Sequence, residues 1–225
     1  MSNVGFRIYT QINRPARELV ESFSGIPVAN LSDQMGRTAC IGTALHPYNH
    51  IPLLGTALTV KVPPNDNLMF HKAIDMAEPG DIIVVDGEGS MTHSLCGEIM
   101  FTYAMSRGIS GFIIDGCIRD VESLRRLDFP VYARGVQPKG PYKNGPGEIN
   151  VPVSVDGRVI FPGDIVLGDS DGVVVIHRKD AEDLLIKGRG HNASEAAQFE
   201  DIKNGRLNRD WVDAALIANG CQFIE

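Results

Sequence analysis

Two places in this chain set charged side chains where chemistry is possible. Arg119-Asp120 follows the apolar run 111–115 (GFIID) and the short turn 116–118. Glu98 opens the segment 97–107, whose apolar residues recur at helical spacing. An aspartate oxygen is a hard ligand that suits Mg2+, an ion that keeps several waters and needs few protein carboxylates. A neighbouring arginine can grip a carboxylate or an enolate oxygen with its planar fork. The amides of Ile99 and Met100, in the first turn of the second segment, are placed to bind an anion such as a substrate carboxylate. One metal-binding and one anion-binding loop end together suit a 2-oxo acid. Plainer roles stay open: Asp120 as a helix cap beside an incidental arginine, and Glu98 as a favourable charge at a positive helix end.

Other candidates are weaker. The loop 86–92 (DGEGSMT) lacks the third glycine of a dinucleotide fingerprint, so it reads as a turn or as a close-approach loop. The histidines, His46, His50, His71, His93, His177 and His191, form no metalloprotease pattern. Most read as structural or exposed, and His93, beside the glycine-rich loop, stands nearest to chemistry. Asp169-Ser170-Asp171-Gly172 lacks the closing glutamate of a Ca2+ loop and reads as a turn. Cys40, Cys96, Cys117 and Cys221 contain no Cys-x-x-Cys pair and read mainly as small, buried, reduced residues.

The elements that must hold these groups follow from periodicity and breakers. Residues 16–22 and 28–35 read as helices. Residues 53–62 (LLGTALTVKV) read as a strand that Pro63-Pro64 ends. Asp66 can cap a helix at 67–77, closed by Pro79-Gly80. A buried strand at 81–85, the helix at 97–107, a strand at 111–115, a short helix at 121–127 and an extended piece at 130–133 then alternate as parallel βαβ units do. Loops beyond the carboxyl ends of such strands are where ligands bind. Short strands are expected at 149–155, 158–161, 165–167 and 172–177. A long polar helix at 179–204, broken near Gly188–Gly190, and a last helix at 210–219 complete the chain. The expected fold is α/β, a single domain over 1–225 with a mixed sheet, a helical N-terminal segment at 1–36 and a C-terminal helical arm at 179–225.

Composition narrows the partners. Net charge is 21 minus 28, or −7, with no block of Lys or Arg, which argues against nucleic acid. No apolar run approaches a membrane span, and the first residues lack the apolar core of a signal peptide, so a cytoplasmic protein is expected. An acidic protein handling acidic substrates needs local cations, meaning a few arginines or a bound metal ion.

Gly97-Glu98, twenty residues, then Arg119-Asp120 resembles the signature of the RraA-like superfamily, the regulators of ribonuclease activity A and the 4-hydroxy-4-methyl-2-oxoglutarate / 4-carboxy-4-hydroxy-2-oxoadipate aldolases. The surrounding text agrees: EPGDIIVVDG at 78–87, GISGFIIDGCIRD at 108–120, FPVYARGVQP at 129–138 and PGDIVLGDSDGVVVI at 162–176. The resemblance runs from about Leu31 onward.

It implies a compact α/β/α sandwich assembled as a homotrimer or a homohexamer. It implies Mg2+ or Mn2+ on Asp120, with Arg119 at the substrate's oxo and enolate oxygens. Glu98 would hold water on the metal, and the amides after Gly97, of Ile99 and Met100, would bind the pyruvyl carboxylate. A glutamate from a neighbouring subunit's C-terminal helix would also reach the metal waters; Glu195 is the best match and Glu200 the next. Many relatives carry an acidic residue three positions after the aspartate, where this chain has Ser123, preceded by Glu122. Regulator relatives tend to lack the aspartate, so Asp120 favours an enzyme. The implied reaction is retro-aldol cleavage of a 4-hydroxy-2-oxo diacid to pyruvate and a second oxo acid, with oxaloacetate decarboxylation alongside. The rivals are a protein-binding regulator of a ribonuclease and, ranked below it, a methyltransferase.

Overall fold

The computed structural model describes residues 3–224. In chain order the elements are β1 (Phe6–Ile8), α1 (Arg17–Glu21), α2 (Val28–Gln34), β2 (His46–Pro47), β3 (Leu53–Lys61), α3 (Leu68–Met76), β4 (Asp81–Cys96), α4 (Glu98–Ser106) and β5 (Gly111–Ile118). There follow α5 (Val121–Leu124), β6 (Val131–Val136), β7 (Gly147–Ile149), β8 (Val153–Val155), β9 (Arg158–Ile160), β10 (Ile165–Asp169), β11 (Gly172–Ile176), α6 (Ala181–Lys203) and α7 (Asp210–Ala218). The α/β class and the mixed sheet are as the sequence predicts. Residues Met1–Gly188 form one compact unit and Arg189–Glu225 a second.

In the first unit, β3, β4, β5 and β6 lie side by side and parallel, each joined to the next through a helix. The two units from β4 to β6 are those read from the alternation of strands and helices, and β3 with α3 adds a third before them. Antiparallel β10 and β7 pair with β3, and antiparallel β2 pairs with β6, which makes the sheet mixed.

The first halves of the parallel strands are near-continuous apolar runs because both faces are covered there. Ile83, Val85, Phe112 and Ile114 pack against Phe70 and Ile74 of α3 and Phe101 of α4. Phe112 meets Phe70 and Phe129 edge-on at 4.9 Å each, a favoured aromatic geometry. The opposite face, through Ile82, Val84 and Ile113, packs on Val153, Val155 and Ile160 of the β8–β9 hairpin. Helices α1 and α2 and the first turn of α6 close over β10 and β11 through Phe23, Leu31, Val174 and Leu184.

Three local expectations change. The glycine-rich stretch after Val85 is not a free loop: β4 continues to Cys96, paired with β5 through three register shifts. Glu88 (φ 56°) and Gly89 (φ 66°) supply the left-handed backbone that such a bulged strand needs. Helix α6 runs unbroken through Gly188 and Gly190. Gly188 is there for space, since a Cβ on it would stand 2.8 Å from Leu31 Cδ2. Cys96 and Cys117 are buried, but Cys40 and Cys221 are exposed; all four are free thiols.

Candidate active site

The site sits where β4 and β5 end. Their last paired residues are Cys96 and Ile118. Beyond them the Arg119 N–H donates to Cys96 O at 3.0 Å. Gly97 then turns the chain into α4, and Asp120 turns it into α5. The two turns are tied together a second time: the Glu98 N–H donates to Asp120 Oδ2 at 3.0 Å.

Asp120 adopts a left-handed conformation, φ 60° and ψ 38°. Aspartate tolerates this region better than most residues, and non-glycine residues in it cluster at functional sites. Its side chain makes no capping bond to α5, which removes the plain helix-cap reading. Arg119 Nε lies 3.6 Å from the same Oδ2. Oδ1 has no hydrogen-bond partner among the described residues, and the side chain is about two-fifths exposed.

Gly97 is fixed by sterics. A Cβ there would fall 2.2 Å from Asp120 Oδ2 and 2.9 Å from Arg119 Cγ. Its φ of −158° is ordinary extended backbone, so close approach alone demands glycine. Of the first-turn amides, Glu98 donates to Asp120 and Met100 donates to Gly97 O at 2.9 Å. The Met100 amide is thus engaged by its own turn. The Ile99 amide has no partner among the described residues.

A cavity of about 170 Å³ opens on these groups, smaller than the sites that hold drug-sized ligands. Cys96, Gly97, Ile99, Met100, Arg119 and Asp120 line one part of it. Asn67 and His71 of the α3 region and Pro141 and Lys143 of the segment after β6 line the rest. Sequence periodicity gave no sign of these last four. Burial, and next the charge of Lys143, hold the His71 imidazole below its ordinary range, with Asp75 pulling weakly the other way. Burial, with a smaller push from Asp120, raises the Cys96 thiol well above its ordinary range, so it is no nucleophile. Asn67 is buried; its amide donates to Leu95 O at 2.7 Å, and its Oδ1 has no partner among the described residues.

The donor set bears on a metal. Among the described residues no group of three or more His, Cys, Asp or Glu side chains could cage an ion. One carboxylate with a free oxygen and room for water is what Mg2+ or Mn2+ with retained waters requires, so the residues fit that mode.

The other sequence candidates lie elsewhere. Asp86 Oδ1 accepts the Glu88 N–H and Oδ2 the Ser154 N–H. Arg134 pairs with Asp115 and, at 3.1 Å, with Asp156. That strand end is a satisfied polar network. His93 is buried against the Tyr142 ring at 5.5 Å and does not line the cavity. Asp169 closes the β10–β11 turn by accepting the Asp171 N–H, as the turn reading expects. Glu98 is exposed at the head of α4. Glu195 and Glu200 lie on α6 in the second unit.

Known proteins agree with this fold. A protein of Halalkalibacterium halodurans named "Putative 4-hydroxy-4-methyl-2-oxoglutarate aldolase" is 37% identical over 188 residues, 83% of this chain and 90% of its own. The crystal structure of an uncharacterized protein from Pseudomonas syringae pv. tomato superposes with a TM-score of 0.77 at 25% identity, over 86% of this chain and 96% of that one. The "RNA-processing inhibitor RraA from Thermus thermophilis" superposes with a TM-score of 0.62 at 28% identity, over 67% of this chain and 92% of that one. Residues 28–175, which carry β3 to β6 and the whole cavity, match the RraA-like family (Aldolase/RraA), and the chain belongs to it.

Proposed function

We propose that this chain is a divalent-metal-dependent lyase that cleaves 4-hydroxy-2-oxo diacids to pyruvate and a second oxo acid, and that also decarboxylates oxaloacetate. The observation that carries the reading is the Asp120 carboxylate. Oδ2 accepts the Glu98 N–H and lies 3.6 Å from Arg119 Nε, and Oδ1 has no partner among the described residues, on a carboxylate that lines a small cavity. The named H. halodurans relative supports the aldolase class.

Asp120 Oδ1 would hold Mg2+ or Mn2+, which when bound polarises a 2-oxo group and offsets developing negative charge. The chain's own groups do the rest. Arg119 grips the oxygen that becomes the enolate oxygen. The Ile99 amide, at the positive end of α4, takes the substrate's 1-carboxylate. Glu98, exposed at the head of α4 between the lining residues Gly97 and Ile99, would accept the 4-hydroxyl proton through a water. The C3–C4 bond then breaks, the C4 oxygen becomes a carbonyl, and the electron pair forms the pyruvate enolate, which is protonated at C3. Loss of CO2 from oxaloacetate leaves the same enolate.

The test is pyruvate release from 4-hydroxy-4-methyl-2-oxoglutarate and from oxaloacetate. EDTA should abolish it, and Mg2+ or Mn2+ should restore it. Metal-loaded protein that makes no pyruvate from either acid would overturn the reading in favour of a protein-binding regulator of a ribonuclease, which needs neither metal nor Asp120.

A further inference from the structure

The cavity holds two cations and one carboxylate among its lining residues: Arg119, Lys143 and Asp120. Arg119 and Asp120 belong to the chemistry above. Lys143 does not, and it forms no ion pair among the described residues, whereas Arg134 is paired with Asp115 and Asp156. His71 lines the same cavity, and burial, then the charge of Lys143, lowers its proton affinity.

The backbone around Lys143 is pinned. The Tyr142 N–H donates to Asn65 O at 2.8 Å, and Tyr142 O accepts the Asn67 N–H at 3.0 Å. The Asn144 N–H donates to Asp66 Oδ2 at 2.6 Å. Asp66 is 4% exposed and uses its other oxygen on the Leu68 N–H, so a buried carboxylate fastens this segment to the start of α3. The same segment approaches Arg119, since a Cβ on Gly140 would stand 3.1 Å from its Nη1. Fixing the backbone on both sides of a flexible lysine lowers the entropy lost when its ammonium binds.

We propose that Lys143 binds the second carboxylate of the substrate, with the His71 imidazole lining the same cavity, and thereby selects 2-oxo diacids over 2-oxo monoacids. This rests on the lyase reading, in which the first carboxylate is taken at the head of α4. A substrate with one carboxylate leaves the Lys143 ammonium unmatched in the cavity; a diacid matches both ends.

The experiment uses two acids that cannot be cleaved because they lack the 4-hydroxyl. 2-Oxoglutarate and 2-oxopentanoate differ only in the distal carboxylate. Their Kd values for the Mg2+-loaded protein are measured by calorimetry, and the readout is their ratio. The wild type should favour 2-oxoglutarate by about tenfold or more, the worth of one charged contact. Lys143→Met should bring the ratio below about twofold, and Lys143→Arg should keep most of it. A wild-type ratio near one, or a preference that survives Lys143→Met, would overturn the inference while the lyase reading stands on its own pyruvate assay. A preference lost in Lys143→Met in a protein that makes no pyruvate would instead remove the lyase reading and leave a diacid-binding pocket.

Discussion

The Glu98 amide donates to Asp120 Oδ2 across 3.0 Å, although the two residues stand 22 apart in sequence. This bond and the Arg119-to-Cys96 backbone bond zip the carboxyl ends of β4 and β5 into one unit. The arrangement fixes one carboxylate oxygen and presents the other. It also leaves no room at Gly97, whose missing side chain is the space that the carboxylate occupies.

Gly97→Ala should therefore be far more damaging than its size implies. The new methyl would displace the Asp120 carboxylate, and a misplacement of about 1 Å costs roughly 100-fold in rate. The fold should survive, because Gly97 has an ordinary extended backbone. Pyruvate assays beside a thermal melt test this: a variant that melts near wild type and keeps full activity would show that Asp120 need not be held here.

Arg119-Asp120 was legible in the sequence because it closes the turn after the short apolar run GFIID, and Glu98 because it opens a segment with helical spacing. Parallel βαβ order then puts both loops at one edge. The other half of the cavity was not legible. Asn67, His71, Pro141 and Lys143 come from α3 and from an irregular segment after β6, where no period links residues to a face. The glycine-rich continuation of β4 was misread for a related reason. Its pairing with β5 at Ser90, Ser94 and Cys96 is irregular, so the alternation that marks a strand is lost while the hydrogen bonding continues. A sequence also does not show which first-turn N–H groups the turn itself engages, as it engages that of Met100.

Asp120→Asn should abolish metal-dependent turnover and leave the fold unchanged. Asparagine keeps the shape, tolerates the left-handed backbone and can still accept the Glu98 N–H, but it removes the charge that a hard cation needs. Activity that persists in this variant and still rises with added Mg2+ would remove Asp120 from the metal.

Arg119→Lys keeps a positive charge and loses the fork. Loss of one preorganised contact to a developing enolate costs about 3 kcal/mol, or roughly 100-fold in kcat. Arg119 also packs against the Gly97 turn through its Cγ, so the melt should be recorded in parallel. A fall of less than about threefold would place Arg119 away from the reacting oxygens.

The last prediction concerns assembly. Glu195 sits on α6 in a unit whose helices leave Phe199, Ile202, Trp211 and Ile217 more than half exposed in the single chain. Exposed apolar side chains on neighbouring helices are a feature of association surfaces, and the prediction is that another molecule covers these. If that molecule is a second copy of this chain, and if Glu195 serves the neighbour's site, each site is built from two chains. An Asp120→Asn chain then still lends its glutamate, and a Glu195→Ala chain still offers an intact Asp120. Each variant alone should be inactive or nearly so. Refolding them together at equal amounts should create some sites that combine both intact groups, and part of the wild-type activity should return. Light scattering on the refolded mixture establishes that mixed oligomers formed. Mixed oligomers with no recovered pyruvate release would mean that Glu195 acts within its own chain or not at all, and Glu200→Ala in the same mixing design would then decide whether the next acidic residue on α6 takes the role.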